Sequence, residues 1–261
     1  MAGAALSFSE VDAYEQFMGR WSHAAAGSFL RWLDPPAGAR WLDVGCGTGI
    51  LSRLALTTSA PAALVGIDRT PGQVAHAARH IGDGRARFEV ADAQALPFVR
   101  ESFDVVTSGL VLNFVPEPHQ AVTEMRRVVR PGGVVAAYVW DFGPELSPSG
   151  PLRRALKAMA IDVAPLPGTQ ASSLPALAAL FGQAGLAHVV WTTIEVSLAF
   201  ADFRDFWDSQ TTSYSPTTKI VERLSAKERE SLTERLRTLV SVQLDGSIQY
   251  SARANAVKAR G

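Results

Sequence analysis

The chain has 261 residues, enough for one domain with a sizeable core and elaborations around it. Lysine plus arginine equals aspartate plus glutamate at 25 each, so the net charge offers no reason to bind nucleic acid or anionic lipid. Hydrophobic residues make up 47% and charged residues 19%, the mixture of a globular protein and not of a disordered one.

Cysteine content and the N-terminal pattern indicate the compartment. Cys46 is the single cysteine, so an intrachain disulfide is excluded and a thiolate metal cage would lack ligands. The first residues lack the basic start and apolar stretch of a secretory signal. No apolar run approaches the roughly 20 residues that span a bilayer. We therefore expect a cytoplasmic protein with no metal and no membrane span.

From Arg40 to Trp140, short apolar runs alternate with helical patterns. The runs predict five strands, at residues 40–44, 62–68, 86–92, 103–109 and 130–140. The intervening patterns predict helices at residues 49–56, 71–80 and 119–129. Strands rich in valine and leucine that are spaced by helices indicate a parallel sheet covered on both faces. The ligand site of such a sheet lies beyond the carboxyl ends of its strands.

After residue 140 the composition shifts to proline, glycine and serine, which indicates a mobile connection around one helix at 152–161. The rest of the chain predicts the following elements in order: a helix at 173–186, a strand at 187–200, helices at 203–210 and 225–244, and a last strand within 245–260. The connection and the later helices are candidates for a cover over the site.

The stretch "WLDVGCGTGI" places Gly45, Gly47 and Gly49 between a predicted strand and a predicted helix. Glycine is used where the backbone takes positive φ or approaches something closely. A tight strand-to-helix turn that uses glycine only for packing is the alternative explanation of one such loop, and the less favoured one. The dinucleotide fingerprint needs G-x-G-x-x-G, whereas this loop is G-C-G-T-G, so the third glycine comes one residue early. The spacing therefore disfavours a nicotinamide oxidoreductase.

Three acids fall at the ends of successive predicted strands. Asp43 precedes the glycine loop, and Asp68 follows Gly49 by nineteen positions, where a carboxylate can accept both hydroxyls of a ribose. Asp92 ends the third strand, where it can meet a purine edge with the backbone of Ala93. Each acid alone is equally consistent with an N-cap or a turn residue. Together they favour a nucleoside site.

The motifs "LDVGCGTG", "GID", "ADAQALPF", "FDVVTSGLVLNF" and "EMRRVVRPGGVVAAYVW" stand in an order and spacing that resemble class I S-adenosylmethionine-dependent methyltransferases. The similarity is strongest to the branch related to ubiquinone and menaquinone biosynthesis methyltransferases, with a methyltransferase type 11 domain. It implies an α/β fold with a Rossmann-like, doubly wound, seven-stranded sheet, mostly parallel with an antiparallel last strand. It also implies a single domain over residues 1–261, divided into N-terminal helices at 1–39, a cofactor-binding core at 40–140, and helical cover segments at 141–186 and 201–245.

The resemblance implies S-adenosyl-L-methionine as cofactor and S-adenosyl-L-homocysteine as product. The cofactor-binding residues it implies are Tyr14, Arg20, Asp43, Gly45, Cys46, Gly47, Asp68, Arg69, Asp92, Ala93, Ser108, Gly109 and Leu110. At the adenosine end, Asp68 would hold the ribose hydroxyls with Arg69 beside the adenine. Asp92 and Ala93 would read the adenine amino group and ring nitrogen.

At the methionine end, the glycine loop at 45–47 would hold the methionine and ribose portion, and Asp43 would reach the amino group. The backbone carbonyls of Ser108 and Gly109 would accept from the ammonium, with Leu110 packed nearby. Tyr14 and Arg20 match positions of "YEQFMGRWS" that close over the cofactor, where Arg20 would pair with its carboxylate.

Methyl transfer from a sulfonium is a direct displacement, so positioning and exclusion of water are the main tasks and a base is optional. The catalytic residues are left unassigned: His23, His119 and Asn113 are candidates, although a histidine at a solvated helix start is ordinary. Tryptophan and phenylalanine clusters suit an apolar or aromatic small-molecule acceptor, and suit core packing as well. The alternative is a cofactor-binding regulatory or assembly protein without transfer activity.

Overall fold

The computed structural model describes residues 18–211 and 216–261. Its α-helices, in chain order, are α1 (Arg20–Leu33), α2 (Ile50–Thr58), α3 (Pro71–His80), α4 (Pro118–Val128), α5 (Gly150–Ala158), α6 (Leu174–Gln183), α7 (Phe203–Thr211), α8 (Pro216–Glu222) and α9 (Ala226–Thr238). Its strands are β1 (Arg40–Val44), β2 (Ala63–Asp68), β3 (Ala86–Val90), β4 (Phe103–Gly109), β5 (Val129–Trp140), β6 (Ala187–Phe200), β7 (Ser241–Val242) and β8 (Ile248–Arg260).

Seven of these strands form one continuous sheet in the order β3-β2-β1-β4-β5-β8-β6. Strands β1 to β5 pair in parallel, whereas β8 lies between β5 and β6 and runs antiparallel to both. The expected mostly parallel sheet with an antiparallel last strand is therefore confirmed. The two-residue strand β7 pairs with β8 as an eighth strand that the sequence did not predict.

The central strands of the sheet, β1, β2, β4, β5 and β8, are buried on both faces, because their side chains enter two separate apolar cores. In β5 the residues that enter one core are Val134, Ala136, Tyr138 and Trp140, and those that enter the other are Val135, Ala137 and Val139. The first core is closed by α1, α2, α5 and α9, and the second by α4 and α6. Helices on both faces explain why the central strands read as near-continuous apolar runs.

Two segments after β6 differ from prediction. The helix predicted at 225–244 begins at the expected serine, since Ser225 and Glu228 form a reciprocal capping box, but α9 ends at Thr238. The next residues pair with β8 as β7, because tertiary pairing outweighs helix propensity at a helix end. The short helix α8 was not predicted. No helix of the described residues is long and apolar enough to cross a membrane.

The connectivity places the candidate site. From β1 the chain moves outward to β2 and β3, then returns to β4 on the other side of β1. The loops after β1 and β4 therefore diverge and leave a crevice at the carboxyl ends of these strands. The glycine loop follows β1 directly, so it borders this crevice.

Candidate functional site

A cavity of about 380 Å³ opens at the carboxyl ends of β1 to β4, within the size range of small-molecule sites. It is lined by Ser22, Asp43, Gly45, Cys46, Gly47, Thr48, Ile50, Leu51, Ile67, Asp68, Arg69, Thr70, Gln73, Ala91, Asp92, Ala93, Gln94, Gly109, Leu110, Val111, Phe114, Val115, Pro116 and Tyr138. The three strand-end acids and the glycine loop thus border one cavity.

The glycine loop has a backbone that other residues adopt only with strain. Gly45, Gly47 and Gly49 have φ values of 76°, 54° and 88°. A Cβ on Gly45 would lie 2.6 Å from a methyl carbon of Val111, so packing also requires glycine there. The N–H groups of Gly45 and Cys46 both donate to the carbonyl of Ile67 at 2.8 Å, which ties the loop to β2. The packing role left open above therefore applies to this loop, and the loop lines the cavity as well.

Asp43 is a buried carboxyl group on the face of β1 that α1 and α2 cover. Its Oδ2 accepts from the Ser52 hydroxyl at 2.6 Å, while its Oδ1 has no hydrogen-bond partner among the described residues. Burial raises the pKa of Asp43 from 3.8 to about 7, and the nearby charge of Asp68 adds to the rise. Burial likewise raises the pKa of the Cys46 thiol, which keeps it protonated. A cation in the cavity would stabilise the ionised form of Asp43.

Asp68 ends β2, Asp92 stands two residues after the end of β3, and both organise their own loops. Asp68 accepts from the N–H of Gly47 at 3.1 Å and from that of Thr70 at 2.8 Å, so it joins the glycine loop to the start of α3. Asp92 accepts from the backbone N–H of Gln94 at 2.8 Å and from its side chain at 3.1 Å. Each carboxylate oxygen has two lone pairs, so these bonds leave capacity for ligand hydroxyl and amino groups.

The end of β4 forms the opposite wall. Gly109 and Leu110 line the cavity, and Leu110 has a φ of 62°, a left-handed conformation that costs energy for leucine. This backbone is held by the Leu110 N–H, which donates to the Tyr138 carbonyl at 2.7 Å. Ser108 is fully buried and is not among the lining residues, so its side chain belongs to the sheet and not to the cavity wall.

Several predicted residues lie elsewhere. Tyr14 falls outside the described residues. Arg20 does not line the cavity: it donates to the Ala199 carbonyl at 2.5 Å and lies 3.7 Å from the Asp205 carboxylate. His119 does not line the cavity, and His23 is exposed in a separate surface groove.

Asn113 is buried beside the lining residue Phe114 but is not itself in the wall, and its amide atoms have no partner within the described part of the chain.

Sequence reasoning missed several wall residues. Ser22 is a polar residue within the buried stripe of α1, a signal that helical periodicity would have revealed. Gln73 and Gln94 follow Asp68 and Asp92 along the chain. Their nearness to these motifs is the only sequence feature that indicates a place in the cavity wall. Tyr138 lies in the middle of an apolar run, and nothing in its local sequence distinguishes it from core packing.

The predicted cover segments at 141–186 and 201–245 contribute no residue to the cavity wall within the described chain. The first of them touches the rim instead. The ring of Phe142 lies 5.9 Å from that of Phe114, and a Cβ on Gly168 would overlap the Asn113 carbonyl. The first segment thus supports one side of the cavity mouth.

Comparison with known proteins bears on the residues that form the cavity. Residues 42–137 match the family described as methyltransferase domain. A demethylmenaquinone methyltransferase of Clavibacter sepedonicus is 36% identical over 149 residues, which are 55% of this chain and 58% of that protein.

Two solved structures share the fold. The YcgJ protein of Bacillus subtilis has a TM-score of 0.57 at 21% identity and covers 91% of this chain and 98% of its own. Phosphoethanolamine N-methyltransferase 2 of Haemonchus contortus, solved in complex with S-adenosyl-L-methionine, has a TM-score of 0.61 at 18% identity, over 98% of this chain and 58% of its own. The chain spans about half the length of the curated relatives it matches, between 43% and 58%.

Proposed function

Because residues 42–137 match a methyltransferase domain, we propose that the protein transfers the methyl group of S-adenosyl-L-methionine to a small molecule. The observation that carries the proposal is the single cavity around which the glycine loop and the acids of three strand ends converge. A nucleoside with a cationic amino-acid tail matches this set of groups. An acid beside the glycine loop would repel a pyrophosphate, which disfavours a nicotinamide cofactor.

One polar atom beside the cavity is suited to the cofactor's ammonium group. The Oδ1 of Asp43 is buried and lacks a hydrogen-bond partner among the described residues, so an ammonium group there would satisfy it. In this proposal the backbone carbonyls of Ser108 and Gly109 accept from the same ammonium, and Leu110 packs nearby. Asp68 holds the ribose hydroxyls beside Arg69, and Asp92 with Ala93 reads the adenine.

When bound, the cofactor would supply a methyl group activated by its positively charged sulfur, with S-adenosyl-L-homocysteine as the product. The chain's own residues orient the donor and exclude water, which can supply several kcal/mol through positioning. Leu110 and Val111 form the apolar wall beside the strand-end carbonyls and keep solvent from the path of attack.

We propose an apolar or aromatic acceptor. The aromatic residues Phe114 and Tyr138 line the cavity, and Phe142 packs against Phe114 from the 141–186 segment. A relative named demethylmenaquinone methyltransferase is in keeping with an aromatic acceptor. No histidine lines the cavity in 18–211 and 216–261, so the described wall offers no imidazole base. This supports an acceptor that arrives ready to attack, such as a neutral amine or an acidic phenol.

The test is calorimetry with S-adenosyl-L-methionine on the wild type, Asp68→Ala and Asp83→Ala. We expect Asp68→Ala to weaken binding at least about tenfold, because hydrogen bonds to a charged group, here from the ribose hydroxyls to the carboxylate, are worth about 1.5–3 kcal/mol. Asp83→Ala is the matched control: Asp83 accepts from the N–H two residues on, as Asp68 does, but lies outside the cavity. Equal affinities for all three proteins would refute the site.

Transfer itself is tested by following S-adenosyl-L-homocysteine release over a panel of quinols, phenols, amines and fatty acids. Release with a phenol, quinol or apolar amine supports the proposal. Tight cofactor binding without release across the panel would instead support a regulatory or assembly role. Binding of NAD in preference to S-adenosyl-L-methionine would overturn the cofactor assignment.

A further inference from the structure

The two edges of the sheet differ in their protection against further pairing. Strand β3, at one edge, is five residues long and carries the charges of Arg87 and Glu89. Strand β6, at the other edge, pairs with β8 without interruption from Val190 to Phe200, and no strand of the described chain pairs with its outer side. Short length and charge are usual devices that block pairing at an edge strand. Strand β6 is long and carries a single acidic residue, Glu195, so its edge is open.

The exposed part of β6 is apolar. Residues 189–194 have the sequence VVWTTI, which combines β-branched and aromatic side chains with no charge and no proline. Val190 and Trp191 are 50% and 56% exposed, and they lie on opposite faces of the strand. Such a segment at the edge of a sheet is a template on which another strand pairs.

Hydrogen bonds on the β5 side of β8 show which backbone groups of β6 point outward. The N–H of Arg253 donates to the Leu146 carbonyl, and the Arg253 carbonyl accepts from the N–H of Asp141, which directly follows β5. Arg253 therefore does not exchange backbone bonds with Glu195, the residue opposite it on β6. In an antiparallel pair, a residue without such bonds turns its N–H and C=O to the other side. The N–H and C=O of Glu195 thus face the outer edge.

The alternation of the strand gives Trp191 and Thr193 the same outward backbone direction as Glu195, because residues two apart are equivalent. The Ala199 carbonyl agrees with this alternation, since the side chain of Arg20 reaches the edge and donates to it. The outer edge therefore presents backbone donors and acceptors at every second residue, which is the arrangement that an antiparallel partner strand needs.

A groove of about 650 Å³ lies beside this edge, between β6, α1 and α2. Val196 lines it from the strand, and the small residues Ala24, Gly27 and Ser28 line it from α1. Even-numbered positions of β6 project to this side of the sheet, since Ile194 and Val196 enter the core that α1 closes. The small residues of α1 leave room there for an apolar side chain from an added strand.

We propose that β6 pairs antiparallel with β6 of a second copy of this chain, about a two-fold axis at Thr193, so that one sheet continues through a dimer. An antiparallel edge is complementary to itself, because the axis places each donor opposite an acceptor of the same segment. Trp191 then lies opposite Glu195 of the second copy. Val190 lies opposite Val196 of the second copy, at the groove. Both exposed apolar residues thus gain a neighbour.

The charge of the strand selects this register. A two-fold axis at Glu195 would bring two carboxylates directly opposite each other, which is destabilising. An axis at Thr193 separates the two carboxylates by four residues along the strands, about 13 Å, which exceeds the screening length of about 8–10 Å. An axis nearer the start of the strand would meet the irregular pairing between Ala187 and Val190.

The experiment measures the mass in solution of the wild type, Thr193→Lys and Gln249→Lys by analytical ultracentrifugation. We expect the wild type to sediment at twice the mass of the chain. Thr193→Lys should sediment as a monomer, because two ammonium groups would meet at the axis. Gln249→Lys is the matched control: Gln249 is also an exposed strand residue, but it lies on β8 between β6 and β7, away from the outer edge. This variant should remain a dimer.

A cross-link tests the register. Cys46 is the single native cysteine and is buried, so an added cysteine reports alone. Thr193→Cys should form a disulfide-linked dimer on mild oxidation, because residues directly opposite in a bonded antiparallel pair have Cα atoms about 5.5 Å apart, within disulfide range. Ser197→Cys should not, because its two copies would stand eight residues apart along the strands, about 26 Å.

A monomeric wild type would overturn the proposal and leave the edge to a strand of a different protein. A dimeric Thr193→Lys, or a monomeric Gln249→Lys, would overturn it as well, because the contact would then not depend on the edge of β6. Cross-linking through position 197 and not through position 193 would overturn the register. These measurements need no cofactor, so their outcome is independent of the proposed function.

Discussion

The cofactor-free wild type should lose stability as the pH rises, and Asp43→Asn should remove this loss. Burial raises the pKa of Asp43 from 3.8 to about 7, so the folded chain retains a proton that the unfolded chain releases near pH 4. The wild type therefore loses stability as the pH rises from about 4 to about 7. About three pKa units at 1.36 kcal/mol each set an upper limit of about 4 kcal/mol for this loss.

The assay is thermal unfolding of both proteins between pH 4 and pH 8 without cofactor. We expect melting temperatures that are similar near pH 4 and diverge as the pH rises to about 7, so that Asp43→Asn melts higher at pH 8, by about 2–4 °C for each kcal/mol. Asp245→Asn is the control: hydrogen bonds from Ser247 lower the pKa of Asp245, so its contribution changes only on the acid side of this range. Parallel curves for wild type and Asp43→Asn would refute the burial argument.

Two further predictions concern backbone and ion pairs. Gly45→Ala should lower the free energy of unfolding by about 1–3 kcal/mol more than Gly38→Ala does. The two glycines have similar φ values, 76° and 73°, but a Cβ at position 45 would meet Val111, whereas one at position 38 meets nothing within 4 Å. Equal losses in urea unfolding would contradict this. Glu145→Ala should lower the free energy of unfolding by about 3 kcal/mol, because it leaves the buried Arg153 guanidinium, 3.4 Å away, without its carboxylate. In the same urea unfolding assay, a loss under about 1 kcal/mol would mean that solvent screens the pair.

The order and type of most elements were predictable from local patterns. The predicted strands at 40–44, 103–109 and 187–200 coincide with β1, β4 and β6, because their residues combine β propensity with clear turn signals at each end. The antiparallel last strand came from family resemblance, since no local pattern specifies which neighbour a strand pairs with. Strand β7 escaped prediction because its pairing partner β8 is not local.

The cavity was predictable to the extent that its groups lie at strand ends. Asp68, Asp92 and the glycine loop were found because parallel strands bring their carboxyl ends to one edge, so order along the chain implies proximity. Ser22 and Tyr138 were missed, and Arg20 was expected in the cavity that Ser22 borders. Ser22 and Arg20 stand in the same sequence motif but on different faces of α1. Which face borders the cavity depends on how α1 packs against the rest of the fold.

Local sequence was sufficient for the alternation of strands and helices, the glycine loop and the acids near the strand ends, because each depends on neighbours within a few residues. Three features depend on burial and on packing between distant segments: the raised pKa of Asp43, the outward position of Arg20, and the Ser22 hydroxyl, which has no hydrogen-bond partner among the described residues. Desolvation and hydrogen-bond satisfaction are properties of the assembled interior, so the folded chain alone determined them.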